Sequence, residues 1–359
     1  MKANPLFKAF ILTLTVVIGF MICLEWYWRS RGFKISYNDD KVFWSVQRKS
    51  VHKAGDQATV VIGSSRIKFD FDIPCWKALT GENAIQLALV GTSPRILLRD
   101  LSRDEKFKGK LIIDVAEFVL FPIDTGRWDK SARECLDYYY HETPAQKTGA
   151  LINSFLESQL VLLEEGKFGL NALLNDLATP NRPRVFARPV FPKEFTESSF
   201  ERQSRMTPMF LTDSSLQKRK LDTWTRSFNK KAAGIKGDTL EAVFKEIKMA
   251  IDKIRSRGGS VAFVRPPSNG EFLETENHLY PRQQYWDRLL DYTKTSGIHF
   301  LDYSALAKLT CPDWSHLAPQ DAVTYTTQLV KILEQEVGWT FPNKVGPASR
   351  NANSKADGL

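Results

Sequence analysis

The chain has 359 residues, 43% of them hydrophobic and 25% charged, enough apolar content for one large core or two modest ones and too much for general disorder. Its net charge of +9 comes from Lys and Arg interleaved with acids, without zinc-finger spacing or a long basic helix, which argues against a nucleic-acid partner. The four cysteines show no metal-like pair spacing, so neither a metal nor a cofactor is expected, and a bridge between Cys75 and Cys311 stands against ordinary reduced thiols.

The segment AFILTLTVVIGFMICLEWYW, from Ala9 to Trp28, is almost uninterrupted apolar sequence of about 20 residues, the length of helix that crosses roughly 30 Å of hydrocarbon. Trp26, Tyr27 and Trp28 form an aromatic group where an interfacial belt belongs. The stretch is longer than the apolar part of a cleaved signal peptide and has no clear small-residue cleavage site, so it reads as an uncleaved single-span anchor. Lys2 and Lys8 on one side face Arg29, Arg31 and Lys34 on the other, and the basic count leaves the orientation open.

After a juxtamembrane stretch to residue 57 come ATVVIGSS (58–65), NAIQLALVG (83–91), KLIIDVAEF (110–118), SVAFVRPP (260–267) and IHFLDYS (298–304). Each is a short β-branched or aromatic run bounded by Gly, Pro or polar residues, as buried parallel strands are. Helical segments separate them. In DTLEAVFKEIKMAIDKIRSRGG, Leu240, Val243, Phe244, Ile247, Ile251 and Ile254 line one face, Asp238 with Glu241 reads as a capping box, and Gly258 ends the helix. The alternation predicts an open α/β sheet. Residues 120–235 break the rhythm and read as a large helical and irregular insertion, either a lid or partner surface or a packing elaboration. Residues 339–359 lack apolar periodicity and read as a disordered tail.

Ligands of open α/β sheets bind beyond the carboxyl ends of the strands. That rule collects Ser64, Ser65 and Arg66 after the first strand, Gly91, Thr92 and Ser93 after the second, Glu117 near the third and Arg265 near the fourth. Asp313 and His316 precede the last amphipathic helix. Residues three apart in such a turn face each other, so Asp313 can hold one imidazole nitrogen of His316 while the other points at a serine hydroxyl. Ser65 is the first candidate nucleophile, with Ser64 as the alternative attacker and a plain helix cap as the structural reading of either. Arg265 stands either as a rim group for an anionic or sugar moiety or as one half of an ion pair. Arg66 reads as structural.

GSSR, a glycine after the second strand and DWSHL, in that order, resemble the SGNH (GDSL-type) hydrolase and acyltransferase superfamily in a membrane-anchored branch. The resemblance covers most of residues 58–336 and leaves 120–235 outside. It implies a flavodoxin-like three-layer α/β fold over 58–338, following the anchor and juxtamembrane stretch at 1–57. It matches Ser65 to the nucleophile, Asp313 and His316 to the acid–base pair, and the amides of Ser65 and Gly91 to an oxyanion hole, to which Thr92 or Ser93 can add. The family's asparagine after the third strand is missing, and Glu117 is the nearest polar residue. The expected activity is that of an O-acyl (acetyl) esterase or transferase acting on an envelope or secreted glycan from the periplasmic or extracellular side, with a multispan membrane protein as a possible source of acyl groups. The alternative is a non-catalytic glycan-binding or assembly protein that keeps the fold.

Overall fold

The computed structural model describes residues 4–122, 125–176, 191–227 and 234–341. The greater part of the Pro-rich stretch, at 177–190, and the tail beyond 341 lie outside them.

In chain order the strands are β1 (Thr59–Ile62), β2 (Ala84–Gln86), β3 (Lys110–Asp114), β4 (Thr196–Ser198), β5 (Ser204–Met206), β6 (Ser260–Arg265) and β7 (Gly297–His299). Five of them form one parallel sheet in the order β2-β1-β3-β6-β7, and β4 pairs antiparallel with β5 as a separate hairpin. The sheet register sets Val60 beside Leu111, Ile113 beside Phe263 and Val264 beside Ile298.

Successive strand residues point to opposite faces, so the runs feed two cores. Val60, Ile62, Leu111, Ile113 and Phe263 pack against the helices Lys41–Ala54, Arg95–Arg103 and Asp238–Ser256. Val61, Ile112, Ala262 and Val264 pack against Ile73–Thr80 and Pro319–Gln335. Helices therefore cover both faces of the sheet, and each fully buried Ile, Leu or Phe contributes about 1.5–3 kcal/mol.

Several expectations are corrected. The helix Lys41–Ala54 belongs to the folded body rather than to a juxtamembrane stretch: Trp44 is buried and its indole donates to the Leu87 carbonyl, while Arg48 pairs with Asp100 and Asp104. At the other end Trp339 and Phe341 are buried in the second core, so the fold runs to 341. The helix Asp238–Ser256 buries all six expected apolar residues but starts at Gly237 without a side-chain cap, so the capping box is absent. Of the two cysteine readings the structure has the reduced one: all four are free thiols, and Cys311 donates to the Pro267 carbonyl.

The apolar N-terminal segment is a helix, Pro5–Ser30, none of whose residues is buried, long and apolar enough to cross a membrane. The 120–235 region contributes helices, including Thr125–His141, Pro144–Glu157 and Ser214–Ser227, and the β4–β5 hairpin.

Candidate active site

β1 ends at Ile62 and the chain passes Gly63, where a Cβ would overlap the Cβ of Asp114 at the end of β3. Only glycine allows that approach. The next residue uses it: the Ser64 hydroxyl donates to Asp114 Oδ2 at 2.8 Å, and the Ser64 N–H donates to the same oxygen at 3.0 Å. Ser64 Oγ also accepts the Arg66 N–H, which makes Ser64 the N-cap of the helix Ser65–Asp70. Its hydroxyl is occupied on both counts, so the alternative attacker is the cap.

Ser65, the first helical residue, is half-buried and faces the other way. Its Oγ lies 2.9 Å from His316 Nε2. His316 Nδ1 lies 2.7 Å from Asp313 Oδ2. Asp313 Oδ1 accepts the N–H groups of Ser315 and His316 at 3.2 and 2.9 Å, so one carboxylate closes the turn with one oxygen and orients the imidazole with the other. Within this turn Trp314 adopts φ +70°, and its indole packs where a Cβ on Gly270 would come within 2.5 Å. The Leu317 N–H donates to Asp70 at 2.8 Å, which ties the turn to the far end of the helix that carries Ser65.

Asp313 is fully buried and His316 is 2% exposed. Burial pushes the Asp313 carboxyl up, yet His316, and Lys220 after it, outweigh burial and hold it well below the usual carboxylate range. Burial lowers the His316 imidazole against the pull of Asp313, with Lys220 and Arg66 adding to the lowering, so the ring favours the neutral form a general base needs.

Lys220 was not legible as a site residue. It comes from the helix Ser214–Ser227, its Nζ lies 3.7 Å from Asp313 Oδ2, and burial lowers its ammonium to about 7 despite Asp313. Phe191, Phe195 and Trp224 surround that nitrogen, with ring centroids 3.1, 3.8 and 4.7 Å away. Phe69, Phe195 and Trp224 also border the His316 ring, at centroid distances of 4.4, 6.0 and 6.4 Å. The inserted region thus walls the acid–base pair. The one available signal was Lys220 and Trp224 at i, i+4 on a single helix face. Lys193, two residues before Phe195, sits 5.1 Å over the Trp28 ring at the end of the apolar helix.

Gly91 lies exposed in the loop after β2 at φ +58°, and Thr92 is buried with its hydroxyl donating to the Val90 carbonyl. Among the described residues neither is hydrogen-bonded to Ser65, and the N–H groups of Ser65 and Gly91 make no hydrogen bond.

Arg265 is not a rim group open to a ligand. It is 1% exposed, and it donates to Glu117, to Ser268 and the Pro266 carbonyl, and to Glu276 at 2.6 Å. Arg66 donates to the other Glu276 oxygen at 2.7 Å, as a structural residue does. Glu117, at the place where the family resemblance implies an asparagine, accepts from Arg265 and supplies no donor. Among the described residues no three His, Cys, Asp or Glu side chains are grouped for a metal. The chain matches no family model and no curated protein.

Proposed function

We propose that the chain is a serine acyl-ester hydrolase or O-acyltransferase of the SGNH type, anchored by the helix Pro5–Ser30 and acting on a carbohydrate ester of the cell envelope from the periplasmic or extracellular side. The observation that carries this reading is the unbroken relay from Asp313 through His316 to Ser65, with 2.7 and 2.9 Å links. A hydroxyl is a weak nucleophile until a neutral imidazole takes its proton. Ser65 Oγ attacks the ester carbonyl as His316 Nε2 accepts that proton, and Asp313 steadies the imidazolium. The free N–H groups of Ser65 and Gly91 are the donors offered to the oxyanion. Collapse expels the alkoxide, which takes the proton from His316 and leaves an acyl-Ser65. Water or a sugar hydroxyl then attacks, giving hydrolysis or transfer, and a multispan membrane protein is the acyl source that the transfer branch calls for.

Glu117, an acceptor where the family has a donor, favours the rival reading of a non-catalytic glycan-binding protein. A fluorophosphonate probe applied to the full chain in detergent separates the two. Labelling that survives Ser64→Ala and vanishes with Ser65→Ala supports the enzyme, and absence of labelling in the native chain supports the binding protein.

A further inference from the structure

The last turns of the helix Pro5–Ser30 are bolted to one piece of the inserted region. Glu25, still inside the apolar helix, accepts the N–H groups of Val161 and Leu162 at 2.9 and 3.1 Å, one on each carboxylate oxygen. Arg29 donates to Glu25 and to the Gln159 carbonyl at 2.6 and 2.9 Å. The Trp28 ring meets Phe168 at a centroid distance of 4.7 Å. Residues 159–168 are therefore held at the level of Trp26, Tyr27 and Trp28, the aromatic group that marks where such a helix leaves hydrocarbon.

Two helices adjoin this piece directly, and both turn apolar side chains outward. Pro144–Glu157 ends two residues before Gln159 and exposes Leu151 (73%), Ile152 and Phe155 (65%), positions that share one helical face. Ala150 of the same helix is buried against the body, so the outward face is the apolar one. Leu170–Asp176 begins two residues after Phe168 and exposes Leu170 (72%) and Leu174. Single exposed leucines are ordinary on a protein surface, but clusters on two helices that adjoin one anchored piece mark an interaction site.

We infer that these two helices rest on the bilayer that the helix Pro5–Ser30 crosses, as a second, interfacial membrane contact beside the span. The occupant follows from continuity: the apolar faces start within two residues of contacts fixed at the aromatic belt, so they lie at the depth where headgroups meet acyl chains. The contact makes the body lie against the membrane on this side instead of trailing from a single helix. It stands independently of the catalytic reading.

The test uses the full chain in nanodiscs of phosphatidylcholine and phosphatidylglycerol, in a background carrying Cys23→Ala and Cys75→Ser. Nitroxides are attached at Phe155→Cys, Leu174→Cys and, as a water-facing control on the helix Thr125–His141, Asp137→Cys. Melting curves confirm that each labelled chain is folded. Collision with oxygen, relative to collision with a water-soluble nickel complex, is expected to be severalfold higher at 155 and 174 than at 137. Equal ratios at all three positions overturn the inference. Protection from both reagents at 155 and 174, as a covering by the chain itself would give, overturns it too, as does dipolar broadening between labels on two copies.

Discussion

Two clusters of buried charge flank the short helix that carries Ser65, and they end differently. On one side Arg66 and Arg265 share Glu276, and Glu117 completes a set of two guanidiniums and two carboxylates. On the other, Asp313 meets His316 and Lys220, and the last polar link runs outward to the half-buried Ser65 hydroxyl. In the first cluster every charge meets an opposite one, though Arg66 Nε and Nη1 and Glu117 Oε2 make no hydrogen bond among the described residues, and the cluster braces the ends of β3 and β6 against the helix Gly270–Leu279. The second leaves an imidazole nitrogen facing a group that can react. Burial and ionic density are common to both; what separates them is that the second cluster ends on a half-buried hydroxyl, whereas every group of the first is a buried guanidinium or carboxylate.

The strongest way to break this comparison is a pair of single substitutions with crossed effects. Asp313→Asn keeps an oxygen for the Ser315 and His316 amides, so the melting temperature stays close to the native one while the probe-labelling rate falls by about three to four orders of magnitude. Glu276→Gln leaves two buried guanidiniums short of a carboxylate and costs about 3–5 kcal/mol in urea unfolding. Matching effects of the two variants would erase the distinction.

A smaller effect sharpens the second cluster. His316 must be neutral to accept the Ser65 proton, so the labelling rate rises as pH climbs through its pKa. The Lys220 ammonium disfavours charge on His316, and Lys220→Met therefore raises that pKa. The acidic limb of the pH–rate profile moves to higher pH, and the rate on that limb drops. Lys220 loses its own charge near pH 7, so the two profiles converge in alkaline solution. An unchanged acidic limb would remove Lys220 from the relay. The smallest effect concerns the neighbouring hydroxyl: Ser64→Ala removes a cap and one bond to Asp114, which lowers stability by about 1–2 kcal/mol in the same urea assay and leaves the labelling rate near the native value.

The parts of the site that sequence reveals are those set by local spacing. Asp313 and His316 stand three apart ahead of a helix, and Ser65 follows a β-branched run, so both strand-end placement and the turn geometry were readable. The choice between Ser64 and Ser65 was not, because Asp114, fifty residues on at the end of the adjoining strand, decides it. The two readings of Arg265 are separated by Glu117 and Glu276, which lie far from it in sequence or across a turn and pair with it only in the fold. The β4–β5 hairpin was invisible because its strands, TES and SRM, are three polar-rich residues each with no alternation to detect. The helix Lys41–Ala54 did carry Phe43, Trp44 and Val51 at helical spacing, but its proximity to the apolar segment disguised it as a connector.

Lys193 lies on Trp28, and Phe195, two residues along, lies against His316. Two residues reach at most about 7 Å of backbone, so no slack tether separates the base of the apolar helix from the His316 imidazole. On the proposed reading, in which that helix crosses a bilayer, the Ser65 hydroxyl would work at one fixed altitude above the lipid. Molecules confined to the same layer would then encounter it by sliding sideways, whereas a long polymer would be modified only along the portion that dips into that layer.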